Sequence, residues 1–239
     1  MTLNLVIVPL LFALAAFLVP YDRVRPYIVA LAAAIHTALT IAVVRSTAID
    51  VTANQWFRPD ALGRLVLLVV STLFLICAIY AVGYLRVRAN RPNRIFCTAL
   101  LGFLSMTTLV ALAQHLTILW VAMEATTLVT AVLLYFNQNR RSLEATWKYL
   151  MIGSVGIALA LLGTLFLAYG ALIGLGEPTL FCSDLVRRAS HLPAPWVRTA
   201  FVLLLVGYGT KMGLAPLHTW KPDAYGEAPG VVGALLAGG

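Results

Sequence analysis

Glu124 and Lys211 are the two residues of this sequence best placed to do chemistry. Glu124 lies in LWVAMEATTLV and Lys211 in LLLVGYGTKMGLAPLHTW, each within a long apolar run. An ionisable side chain inside a membrane span costs about 2.5–3.5 kcal/mol or more, so it needs a partner, water or a task. Burial disfavours the charged form of a carboxyl and of an amine alike, and a nearby opposite charge favours it in both. Moving such a pair together or apart therefore changes which member holds a proton. Given a water path, that is a switch for proton transfer. No basic residue stands one helical turn from Glu124, so its partner must come from another span.

The remaining titratable residues divide by context. Lys148 follows Glu144 by four positions, the favourable order for a helical ion pair. It reads either as a link from the buried charges to one membrane face or as a surface cation snorkelling to headgroups. His218 follows Lys211 in a distinctive polar segment and is a candidate proton carrier. His36 has no acidic neighbour in sequence and reads as a hydrogen-bonded core histidine, and His115 as a hydrated turn residue.

The elements that must position these groups follow from composition. Of 239 residues, 61% are hydrophobic and 11% charged, where a soluble domain is roughly half apolar and about a quarter charged. That argues against a soluble enzyme, a disordered chain or a disulfide scaffold. The formal charge of +8 resides mostly between apolar runs, where lipid headgroups meet it. No aromatic-plus-basic repeat supports a nucleic-acid partner. Cys77, Cys97 and Cys182 include no C-x-x-C spacing, so no zinc or iron–sulfur ligand set is expected, and no cofactor.

A span needs about 20 mainly apolar residues. Runs at 3–20, 26–44, 65–85, 95–113, 116–136, 145–169 and 196–216 meet or approach that length, and 230–239 is half of one. The expected fold is an all-α polytopic membrane protein, with seven transmembrane helices plus the start of an eighth. Trp56 and Phe57 fall in the polar stretch 45–64 as interface residues, and 171–195 is a longer loop. Glu124 stands about 8 residues into its span and Lys211 about 15, roughly 12 and 22 Å deep at 1.5 Å per residue. The seventh helix is expected to be discontinuous. Gly207, Gly209 and Gly213 weaken it, Pro216 removes a backbone donor, and the polar turn HTWKPDAYGEAP follows. Broken helices often mark ion paths. VGYGT at 206–210 is not a potassium filter, because it sits late in a long run and precedes a lysine. GYGTKMG lacks the G-K-[ST] of a phosphate loop.

The N-terminus lacks a basic leader region and reads as a first membrane helix rather than a signal peptide. The arginines at 23, 25, 86, 88, 91, 94, 140 and 141 outweigh those of the alternate loops, so the N-terminus is expected outside. About ten apolar residues cannot cross a bilayer, so the last run reads as the cut end of a fragment or as a short re-entrant segment.

The segment GTKMGLAPLHTWKPDAYGEAP, 209–229, resembles the signature of the antiporter-like proton-pumping subunits of respiratory complex I, membrane-bound hydrogenases and multi-subunit sodium/proton antiporters. LWVAMEATTLVTAVLLYF resembles the family's helix 5 and SLEATWKYLMIGSVGIALALLGT its helix 6. S-L-E-A-x-W-K-Y and L-L-V-G-Y-G-T-K look closest to the F subunit of hydrogenase 4 and formate hydrogenlyase complexes. The resemblance implies that 1–94 forms three leading helices. Residues 95–239 would form the first repeat, up to the start of helix 8, with a second, inverted repeat beyond. It carries proton transfer to Glu124, Lys211, Lys148 and His218. Lys221 stands where leucine is usual, Tyr225 where histidine is usual, and Gly230-Val231 where Ser-Pro is common. Losing that histidine puts one limb of a proton route in doubt.

The implied function is proton translocation as a non-redox subunit of a redox-driven complex of the hydrogenase-4 or NADH-quinone oxidoreductase type. Such a subunit has no catalytic centre of its own and sits in the cell inner (plasma) membrane beside other membrane subunits. The alternatives are a sodium/proton antiporter subunit without redox chemistry and an inert scaffold.

Overall fold

The computed structural model describes residues 2–46 and 55–238, so the first residue, part of the polar stretch 45–64 and the last residue lie outside the described residues. The described chain is nearly all helix. The helices are α1 (Asn4–Leu18), α2 (Arg25–Arg45), α3 (Ala61–Val87), α4 (Arg94–Leu112), α5 (Leu116–Leu134), α6 (Arg140–Leu175), α7 (Cys182–Arg187), α8 (Ala194–Met212), α9 (Trp220–Glu227) and α10 (Gly230–Gly238).

Helix ends follow local chemistry. The Asp60 carboxylate accepts from the amide of Gly63 at 2.6 Å to start α3. Asn139 and Ser142 cap α6 reciprocally, each accepting from the other's amide. Gly176, at φ 78°, closes α6 in the left-handed region.

Five helices are long and apolar enough to cross a membrane: α2, α3, α4, α6, and α5 with its terminal turn. α1 is apolar but only 15 residues long, and α8 carries both Arg198 and Lys211. Seven full spans are therefore not what length and composition alone return. The 171–195 loop is also shorter than its reading, because α6 runs on to Leu175 and α7 fills part of the remainder.

The burial pattern is that of a membrane bundle. Large apolar side chains face outward, among them Leu11, Leu14, Ile76, Ile79, Met151 and Val155, while His36, Thr40, Ser71, Ser105, Thr108 and Thr127 are buried. Water would not tolerate so much outward apolar surface, whereas lipid or neighbouring subunits would. This is a multi-pass membrane protein.

Hydrogen bonds define the two ends of the bundle. At one end Arg25 donates to Val19 O and Asn93 Oδ1 and pairs with Asp22. Arg88 and Arg91 reach Asn137 and the carbonyls of Phe136 and Asn137, and Asn137 donates to Glu227 O. At the other end Arg58 N bonds Leu112 O and Leu116 N bonds Leu180 O. There His115 packs between Trp56 and Phe181, at 4.6 and 4.9 Å between ring centroids. His115 is half-exposed at this turn and also packs on both rings, and burial pulls its pKa below the ordinary histidine value.

His36 is fully buried, as a core histidine should be. Its Nε2 meets Thr108 Oγ1 at 3.0 Å and its Nδ1 meets Ser71 Oγ at 3.1 Å, tying α2 to α4 and α3. Cys77 and Cys97 are buried too.

Candidate functional site

The site is assembled where α5, α6 and α8 meet. α6 and α8 approach closely because small residues face each other: a Cβ on Gly207 would stand 2.6 Å from Gly156 O and Ala160 N. Small residues are the usual means by which membrane helices bring their backbones together. Gly207 and Gly209 therefore do not interrupt α8, which is continuous to Met212. Gly207 serves the packing against α6, Gly209 lies beside Leu214, and the break comes at Gly213.

Gly213, at φ 73°, adopts a left-handed conformation that other residues enter only at a cost. Its amide bonds Thr210 O at 3.1 Å, and Leu214 N bonds Gly209 O at 2.8 Å. This pair of bonds satisfies carbonyls that a helix end would otherwise leave open. Beyond the break, 220–227 forms α9 rather than the expected polar turn. Pro222 falls in its first turn, where a missing N–H is harmless. The Trp220 indole donates to Thr210 O at 2.9 Å, fastening α9 to the end of α8.

Lys211 occupies the last turn of α8, beside this break. Its Nζ donates to Thr127 Oγ1 on α5 and to Tyr149 OH on α6, each at 2.7 Å, and stands 4.9 Å from the centre of the Tyr149 ring. Tyr149 is almost wholly buried and lies edge-to-face with Trp220 at 5.1 Å. One amine is thus held by hydroxyls from two other helices.

Glu124 is one turn before Thr127, so the two share a face of α5. Its Oε2 is buried and has no hydrogen-bond partner among the described residues. No direct ion pair joins it to Lys211, whose amine bonds instead to Thr127 Oγ1, one turn further along α5. A buried carboxylate oxygen without a donor is costly and calls for a functional explanation.

Lys148 is placed differently. Its Nζ pairs with Glu144 Oε1 at 2.7 Å and with Asp223 Oδ2 at 2.8 Å, and its side chain is about half exposed. The Glu144 pair follows from the spacing, and Asp223 adds a clamp between α6 and α9. Lys148 does not touch Lys211; the adjacent Tyr149 does. His218 is exposed in the turn between α8 and α9. Tyr225 donates its hydroxyl to Leu236 O of α10 at 2.7 Å, and Lys221 lies against Gly213.

Sequence reasoning passed over Thr127, Tyr149 and Trp220. A signal existed for Thr127, one turn from Glu124. Tyr149 and Trp220 join the site only through tertiary packing.

Residues 113–239 match the family described as NADH:quinone oxidoreductase/Mrp antiporter, transmembrane. The chain is 41% identical over 128 residues to the Hydrogenase-4 component F homolog of Methylacidiphilum infernorum, covering 53% of this chain and 27% of that one. It is 32% identical over 252 residues to NADH-quinone oxidoreductase subunit N of Desulforudis audaxviator, covering 98% of this chain and 48% of that one. The chain thus spans half or less of these relatives' length. Its fold superposes on a chain of the membrane-bound sulfane sulfur reductase, an archaeal respiratory membrane complex. There the TM-score is 0.80 at 20% identity, over 97% of this chain and 49% of that one. The chain belongs to the NADH:quinone oxidoreductase/Mrp antiporter transmembrane family.

Proposed function

We propose that this chain forms part of a proton-translocating membrane subunit of a redox-driven complex, with Lys211 as the proton-carrying group and Glu124 as the charge that governs it. One observation carries the reading: a half-buried amine at a helix break is held by two hydroxyls, one of them on Thr127, a turn along α5 from Glu124, whose Oε2 is buried without a partner. A structural ion pair would be closed directly, whereas here the amine and the carboxylate are left apart and can be re-paired by a small movement.

In this mechanism Lys211 holds its proton while the Glu124 charge is close, and the Tyr149 and Thr127 hydroxyls accept from the ammonium. A change in the neighbouring subunits shifts Glu124, and Lys211 releases the proton toward water. Lys148 and His218, near the α9 end, connect the centre to the membrane face that carries the arginine loops. By the excess of arginine there, that face is cytoplasmic and the N-terminus lies outside, in a cell inner membrane. Residues 1–94 serve as three leading helices and 95–239 as the first antiporter-like repeat, with Lys211 in a discontinuous seventh span. The partners are other membrane subunits of a hydrogenase- or complex I-like assembly, which supply the redox chemistry.

The test uses the full-length protein in its assembled complex, in sealed vesicles with a pH-sensitive dye. Glu124→Gln and Lys211→Ala should each abolish most proton uptake while assembly persists. Unchanged proton uptake in either variant would overturn the proposal. Uptake that depends on sodium and needs no redox turnover would replace it with an antiporter subunit.

A further inference from the structure

A cavity of about 1040 Å³ opens between the α1–α2 connection, the end of α3 and the α3–α4 loop. Its rim carries Arg23, Arg86 and Arg91, and its wall is made by Tyr27, Val82 and Leu85. Asp22, the acid on this wall, is engaged by Arg25. Arg91 is committed to the carbonyls of Phe136 and Asn137. Among the described residues Arg23 and Arg86 form no ion pair; the guanidinium of Arg86 stands 5.4 Å from the Tyr27 ring centre. The cavity therefore has a cationic mouth without its own counter-charge.

Below the mouth the surface turns apolar. Leu31 lies one turn beyond Tyr27 on α2 and Ile79 one turn before Val82 on α3, and both are more than half exposed. A free anion would use only the mouth, while a phospholipid uses both parts. Its phosphate accepts charge-assisted bonds from guanidinium groups, and its chains cover the exposed apolar residues. Basic pockets between membrane helices are known places for anionic headgroups. We propose that this cavity binds the headgroup of an anionic phospholipid, with the phosphate at Arg23 and Arg86 and an acyl chain along the α2–α3 groove.

Native mass spectrometry of the full chain in detergent tests this, with dioleoyl-phosphatidylglycerol, dioleoyl-phosphatidylcholine and inorganic phosphate as probes. The expected result is one retained phosphatidylglycerol, not displaced by millimolar phosphate and at least tenfold favoured over phosphatidylcholine. Arg23→Ala with Arg86→Ala should lower the bound fraction about tenfold, and Arg198→Ala at the other end should leave it unchanged. Should the double variant fail to fold, Arg23→Gln on the exposed connection should lower it severalfold. Equal retention of phosphatidylcholine, displacement by inorganic phosphate, or an equal loss in Arg198→Ala would overturn the proposal.

Discussion

The ammonium of Lys211 and the phenol of Tyr149 meet at 2.7 Å across the α8–α6 contact, and the amine also stands 4.9 Å from the centre of the same ring. Tyr149 therefore holds Lys211 in two ways, as a hydrogen-bond acceptor and as a polarisable face. Thr127 supplies the second acceptor from the helix that bears Glu124. The geometry makes Tyr149 a positioning residue for the amine.

Tyr149→Phe separates these two contributions. It keeps the ring against Trp220 and removes the hydroxyl. A hydrogen bond to a charged group contributes about 1.5–3 kcal/mol, so proton translocation should fall by roughly tenfold or more. Proton uptake by vesicles holding the assembled complex checks this, with redox turnover measured in parallel. Translocation equal to the parent would show that the hydroxyl does not hold the amine in turnover.

Gly213→Ala tests the break. The left-handed conformation at this position costs a residue with a Cβ about 1–2 kcal/mol, and the added methyl group would also crowd the end of Lys221. Thermal unfolding in detergent should show that loss. Translocation should fall as well, because the turn sets where α8 ends and so where Lys211 sits. An unchanged melting temperature would mean that the chain finds another way to end α8.

His36→Leu should act on stability alone. The substitution removes one bond each from the hydroxyls of Ser71 and Thr108, which keep Thr40 and Leu104 O as partners, and a typical buried hydrogen bond contributes about 0.5–1.5 kcal/mol. The melting temperature should drop, while protein that assembles should still pump. Loss of pumping at full assembly would place His36 on a proton route instead.

Much of this was legible in the sequence, for reasons that can be named. Glu124 and Lys211 stood out because charge within apolar runs is rare and costly. His36 announced its role by lacking any acidic neighbour, and the Glu144–Lys148 pair follows from a spacing of four. What was not legible depends on packing between distant segments. Gly207 and Gly209 look like helix breakers in the sequence, yet α8 runs through both, Gly207 is where it lies against α6, and only Gly213 ends the helix. The segment after Pro216 read as a polar turn because its composition is polar. Contacts from Trp220 to Thr210 and from Asp223 to Lys148 hold it as α9. Tyr149 carries no signal in a local window, since its role exists only once α6 and α8 are side by side.

The central claim is that Glu124 and Lys211 work as one coupled unit, and a double-mutant cycle on proton translocation tests it most directly. Groups that act as a unit lose their function once, so their effects are strongly non-additive. Translocation per redox turnover would be measured in the assembled complex for Glu124→Gln, Lys211→Ala and the pair combined. The prediction is that each single variant loses most translocation and the combination loses no more than either. Losses that multiply in the combination, or a single variant that translocates normally, would contradict the account.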